Sequence, residues 1–144
     1  MSSETVSRAR ESLDTQAESV SALLVERSGQ FPDHDLFVLP PRMRQLWKTT
    51  RGTWSYRETA AIVEALAARY RAAGYGAGQR VALLLENRPD HFFHWLALNS
   101  LGAGIVPLNP DYRADETRYA LEHSEAVLAV TLPERKAQVA EVAA

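Results

Sequence analysis

The 144-residue chain contains no cysteine. Disulfides, thiolate zinc sites, iron–sulfur clusters and a cysteine nucleophile are all excluded by that one absence. No apolar run approaches the roughly 18 residues needed to cross a bilayer as a helix, so no membrane span is expected. An excess of one charge is lacking too: Lys and Arg total 16 against 18 Asp and Glu, a formal net charge of −2. Such balance gives no electrostatic reason to expect a nucleic-acid partner. The N-terminus has no apolar core and mixes Arg8 and Arg10 with Glu4, Glu11 and Asp14. Neither a signal peptide nor a transit peptide reads this way, and the expected setting is cytoplasmic. No G-x-S-x-G, H-E-x-x-H or Walker lysine pattern occurs, so hydrolase and P-loop readings have no support. What remains is globular material, 46% hydrophobic and 24% charged, at the length of one ordinary domain.

Residues 1–12 are rich in Ser, Glu and Arg without an apolar period and read as a mobile tail; residues 13–144 read as the structured part. Leu13, Ala17, Val20 and Leu24 share one helical face, with Gly29 and Pro32 as stop signals. Residues 35–39 and 45–49 read as short extended pieces separated by Pro40-Pro41, and Arg51-Gly52 as a turn. Ser55-Tyr56-Arg57-Glu58 has the S-x-x-E form of a capping box. Behind it Tyr56, Ala60, Val63, Ala67 and Tyr70 form one stripe, widened by Ile62 and Leu66, and Gly74 ends the helix.

Val81-Ala82-Leu83-Leu84-Leu85 is continuously apolar, the pattern of a strand buried on both faces in a parallel sheet. Pro89 suits a helix first turn, and residues 91–101 are apolar nearly all round, so that helix should be largely buried. Two further strands are expected at 105–109 and 126–131, with a helix over 115–123 between them and another from Pro133 to Val142. Strand and helix alternating at this spacing is a run of βαβ units, hence an α/β fold with a parallel βαβ layer. Three strands leave two edges to protect, so the layer reads as part of a larger doubly wound domain. An uncovered apolar helix at 91–101 is expected to make the isolated chain poorly soluble.

Thr53-Trp54-Ser55-Tyr56-Arg57-Glu58-Thr59 resembles the opening motif of the adenylate-forming enzymes, the AMP-binding acyl-CoA synthetase and ligase superfamily, with Thr59 where leucine is usual. Gly76-Ala77-Gly78-Gln79-Arg80-Val81-Ala82-Leu83 is similar to the family's glycine turn into an apolar strand, and Glu86-Asn87-Arg88-Pro89 to its Asn-x-Pro helix start. Leu101-Gly102-Ala103-Gly104-Ile105-Val106-Pro107-Leu108-Asn109-Pro110 resembles the second core motif. The pieces span about residues 20–135 in family order. The wording at 92–99 and 109–113 tilts toward acyl-CoA ligases over peptide-synthetase modules. The resemblance implies a short N-terminal helix and hairpin ahead of an incomplete N-terminal α/β subdomain. It also implies an ATP-dependent ligation in which a small carboxylic acid becomes an acyl-adenylate and then an acyl-CoA, with ATP, magnesium and coenzyme A as cofactors. The family's phosphate loop, adenine pocket, hinge and catalytic lysine fall beyond the matched stretch. No catalytic residue is therefore carried over; the stretch is expected to be inactive alone, and its partner to be the remainder of its own chain. A free-standing α/β module that binds a nucleotide or a partner protein, and a truncated gene product, are the alternatives.

Ligands of parallel sheets bind beyond the C-terminal ends of the strands. Arg88, Arg113 and Arg135 each follow a strand end and are the candidate cofactor-binding residues, since guanidinium groups suit phosphate. The competing reading pairs them with Glu86, Asp111 and Glu134 as solvated loop charges. His91 and His94 lie one helical turn apart, but their aromatic neighbours favour packing over a metal site, and no metal is expected. Gly74–Gly78 follows a helix and enters a strand, the wrong order for a phosphate-cradling loop. Thr49–Thr53 reads as a hairpin turn.

Overall fold

Ser19 starts the first helix: its hydroxyl accepts the Ala22 amide at 3.1 Å, capping α1 (Val20–Gln30). The structure is a computed structural model that describes residues 17–142. Leu13 and the tail expected at 1–12 lie outside the described residues. Gly29 does not end α1; the helix runs on to Gln30 and closes where the Phe31 amide bonds the Arg27 carbonyl.

Strand β1 (Asp35–Val38) pairs antiparallel with β2 (Thr53–Ser55). Between them the expected extended piece at 45–49 is replaced by a short helix, α2 (Pro41–Leu46). Pro41 sits at its first position, where a proline loses no hydrogen bond, and the Pro40 carbonyl accepts both the Met43 and Arg44 amides. The proline pair starts a helix and does not divide two strands.

The capping box is fully made. Ser55 Oγ accepts the Glu58 amide at 3.2 Å and a Glu58 carboxylate oxygen accepts the Ser55 amide at 2.9 Å. It opens α3 (Tyr56–Ala72), which buries Thr59, Val63, Ala67 and Tyr70. Gly74, at φ 84°, closes it. The Tyr75 amide returns to the Tyr70 carbonyl and the Gly74 amide to Arg71, the two bonds of a Schellman end.

The central strand is β3 (Arg80–Leu84). It is parallel to β4 (Gly104–Pro107) on one side and to β5 (Leu128–Thr131) on the other, with Val81 opposite both Ile105 and Leu128. Its alternating side chains feed two cores. Val81, Leu83 and Leu85 meet α1, α3 and α4 (Pro89–Ser100). Ala82 and Leu84 meet Leu108, Val139 and the inner side of α5 (Ala114–Ser124). Burial on both faces explains why alternation is absent from the sequence of β3. Each fully buried leucine contributes about 1.5–3 kcal/mol of apolar transfer.

The helix over 91–101 is largely buried, as its all-round apolar sequence implies, and the expectation that it lacks cover in the isolated chain is corrected. Helix α4 packs against α3 and α1, and its Ala97 and Leu98 have no exposed surface. Asn99 ties it to α1 by accepting the Ser21 amide at 3.2 Å and the Ser21 hydroxyl at 3.0 Å. After β5 a 3-10 turn (Pro133–Arg135) leads into α6 (Lys136–Ala140). Among the described residues β4 and β5 each pair only with β3, so the sheet has two open margins, and Val127, just before β5, is half exposed.

Candidate functional site at the C-terminal rim of the sheet

Because β3, β4 and β5 are parallel, the loops that follow them emerge on one edge. Beyond β3, Glu86 takes a left-handed conformation, φ 58°. This turns the chain toward Arg88, the residue at the N-cap of α4, with Pro89 in the first turn. Beyond β4, Asn109 Oδ1 accepts the Asp111 amide at 3.0 Å, and Arg113 caps α5 with its own amide given to the Glu116 carboxylate at 2.8 Å. Beyond β5, Arg135 ends the 3-10 turn.

The three arginines predicted from sequence share this rim but differ in their partners. Arg135 Nη2 lies 3.0 Å from Glu86 Oε1, and its Nη1 donates to the Pro110 carbonyl at 3.1 Å. Arg135 therefore touches the loops after all three strands. Arg88 lies with its guanidinium carbon 5.5 Å from the centre of the Trp47 ring, a cation–π contact. It faces Asp90 at 3.7 Å and Glu134 at 4.0 Å. Arg113 has an exposed side chain with no ion pair among the described residues. Of the expected carboxylate partners, Glu86 and Glu134 are used and Asp111 is not.

Trp47 was not legible as a rim residue, because its segment reads as a strand. In α2 and the turn after it, Trp47 reaches the rim and walls a cleft of about 520 Å³ with Glu86, Asn87, His91, Leu108 and Asn109. A hollow of about 590 Å³ along β4 and α5 is lined instead by Asp115 and Glu116. That hollow has two carboxylates and no arginine or lysine in its lining. The rim cleft has none of the three arginines in its lining but a single carboxylate, Glu86, with Arg135 paired to it, so the rim is the better candidate for an anion.

The histidines of α4 are packing residues here. His94 Nδ1 is 2.7 Å from the Tyr70 hydroxyl, and His91 sits edge-on to Phe92. Burial holds the pKa of both below the ordinary histidine value, with the Asp90 charge opposing and His91 reinforcing the effect at His94. The glycine turn at 74–78 is a helix-to-strand connection, with the Gly76 amide held by Gln79 Oε1 at 2.8 Å. The hairpin turn expected at 49–53 is not there: the turn falls at Trp47-Lys48 after the helix, and residues 49–52 lead into β2, with Arg51 bonding the Thr53 carbonyl at 2.9 Å and stacking 5.0 Å from the Trp54 ring centre.

Residues 24–144 match the family model described as AMP-binding enzyme. Tyrocidine synthase 2 of Brevibacillus parabrevis is 32% identical over 114 residues, 79% of this chain and 3% of that protein. Crotonobetaine/carnitine–CoA ligase of Proteus mirabilis is 35% identical over 78 residues, 54% of this chain and 15% of that protein. The chain thus spans a small part of the curated relatives it matches. Among solved structures, the inhibitor-bound N-terminal domain of FACL13 from Mycobacterium tuberculosis shares the fold at TM-score 0.76 and 23% identity, over 88% of this chain and 30% of that one. The Klebsiella oxytoca NpsA N-terminal subdomain in complex with 3-hydroxybenzoyl-AMSN is similar at TM-score 0.67 and 26% identity, over 78% and 26%. With the ordered motifs, the parallel layer and the family match together, the chain belongs to the AMP-binding enzyme family and has the fold of the N-terminal subdomain of an acyl-CoA synthetase.

Proposed function

We propose that this chain is the N-terminal scaffold of an ATP-dependent acid–CoA ligase of the cytoplasm. In that reading a small carboxylic acid attacks the α-phosphate of ATP to give an acyl-adenylate and pyrophosphate, and the thiol of coenzyme A then takes the acyl group. The scaffold supplies one sheet layer and its C-terminal rim; the residues that perform the chemistry belong to further polypeptide. The match of residues 24–144 to the AMP-binding family is the observation that carries this reading.

The rim fits the anionic cofactors in one respect. Arg113 offers an exposed guanidinium free of carboxylate partners among the described residues, suited to a phosphate of the nucleotide or of coenzyme A. Arg88 and Arg135 border the same edge, with their charge already faced by Glu134, Asp90 and Glu86. Among the described residues no group of three His, Asp or Glu side chains could hold a metal ion. In this reading magnesium comes with the nucleotide, and no step is assigned to it on this stretch. No helix among the described residues is long and apolar enough to cross a membrane.

Similarity to tyrocidine synthase 2 over 79% of the chain supports a second reading, an amino-acid-activating module that passes its acyl group to a carrier thiol. The encoding DNA beyond Ala144 tests the ligase reading. A Ser/Thr/Gly-rich phosphate loop in frame, a few tens of residues on, is expected. A stop codon directly after Ala144 would favour the free-standing module. A carrier-protein sequence following the complete enzyme region would favour the second reading.

A further inference from the structure

The three rim arginines are not equivalent. Arg135 is held by Glu86 from the loop after β3, by the Pro110 carbonyl from the loop after β4, and by Gln138 Oε1 one turn along α6. Gln138 in turn donates to the Tyr112 carbonyl at 3.2 Å. Two consecutive anchors thus grip residues 110–112, immediately before Arg113. Glu86 adopts a left-handed conformation disfavoured for any residue with a Cβ, and its carboxylate is paired with Arg135. With one carboxylate 3.0 Å away, the charge of Arg135 is already met within the protein.

We propose that Arg135 is a positioning residue: through Glu86, Pro110 and Gln138 it fixes the loop between β4 and α5 that presents Arg113. The proposal rests on the reading of Arg113 as the arginine that meets an anionic substrate. A planar guanidinium is required, because donors must leave in different directions toward the Glu86 carboxylate and the Pro110 carbonyl; a lysine ammonium is a point charge without that fork.

The test compares Arg135→Gln, Arg135→Lys and Glu86→Gln in the isotope-labelled 144-residue chain, reading amide hydrogen exchange at Asp111 and Tyr112 beside the melting temperature. Both Arg135→Gln and Glu86→Gln lose the ion pair, so a purely stabilising role would accelerate loop exchange equally in the two. The positioning role predicts acceleration of about tenfold in Arg135→Gln, the equivalent of one charge-assisted hydrogen bond. It predicts a much smaller change in Glu86→Gln, where the Pro110 and Gln138 contacts persist, and an intermediate one in Arg135→Lys. Equal acceleration in Arg135→Gln and Glu86→Gln, or none in Arg135→Gln, overturns the proposal. A titration with inorganic pyrophosphate, followed at the arginine Nε–H signals, separates the reading beneath it. Movement of the Arg113 signal alone supports both. Movement of the Arg135 signal overturns the positioning role. No movement at either arginine, with the exchange pattern as predicted, sinks the reading of Arg113 and leaves Arg135 as the loop anchor.

Discussion

The Tyr70 hydroxyl on α3 lies 2.7 Å from His94 Nδ1 on α4. It joins these two helices across the core that covers one face of β3. Both groups are held neutral by burial: the Tyr70 pKa is pushed up to about 12, and that of His94 is pushed down.

That pair contributes to the pH dependence of folding. A histidine whose folded pKa lies below its unfolded value, ordinarily 6.5, stabilises the fold above the unfolded pKa. The contribution is lost as pH falls toward the folded pKa. His91 acts in the same direction. The melting temperature is therefore expected to drop as pH falls below about 6.5. His94→Gln should flatten that drop. At the other extreme, stability should fall as pH rises from the ordinary tyrosine value of 10 toward about 12, where buried Tyr70 resists ionisation. Thermal melts across pH check both limbs.

Thr59 has no exposed surface, and its hydroxyl is buried without a hydrogen-bond partner among the described residues. An unmet buried hydroxyl costs about 1–3 kcal/mol. Thr59→Val keeps the shape and removes the group, and helix propensity barely changes. Denaturant unfolding should show a gain of about 1 kcal/mol or more. A loss would mean that the hydroxyl is solvated or paired in solution.

Leu98 has no exposed surface and lies in the core beneath α3 and α1. Leu98→Ala should cost about 2–5 kcal/mol, the range for a buried leucine whose cavity closes only in part. The same measurement on Leu46→Ala, at 67% exposure, should fall within about 0.5 kcal/mol of the parent. Comparable losses at the two positions would contradict the core as described.

Much of the fold was legible because local signals and tertiary packing agree. The Ser55–Glu58 box, the Gly74 stop and the unbroken apolar run of β3 each need only neighbouring residues to be understood. Pro40-Pro41 was not, since proline both interrupts strands and opens helices. What decides for the helix is the Pro40 carbonyl taking two amides and Trp47 folding back against Arg88. Arg88, Arg113 and Arg135 were legible as rim residues from the rule that parallel strands end on one edge. Their division of labour was not legible, because it depends on the left-handed turn at Glu86 and on which carboxylate each side chain reaches.

If residues 1–144 carry the scaffold and not the reactive groups of an adenylate-forming ligase, chemistry needs the downstream polypeptide. Acid-dependent release of pyrophosphate from ATP tests it most directly. The assay uses a panel of fatty, aryl and amino acids, with the 144-residue chain alone and with the same chain extended through its downstream reading frame. No turnover is expected from the chain alone, and acid-dependent turnover from the extended polypeptide. Turnover by the purified 144-residue chain, or none by the extended one with any acid, would contradict it.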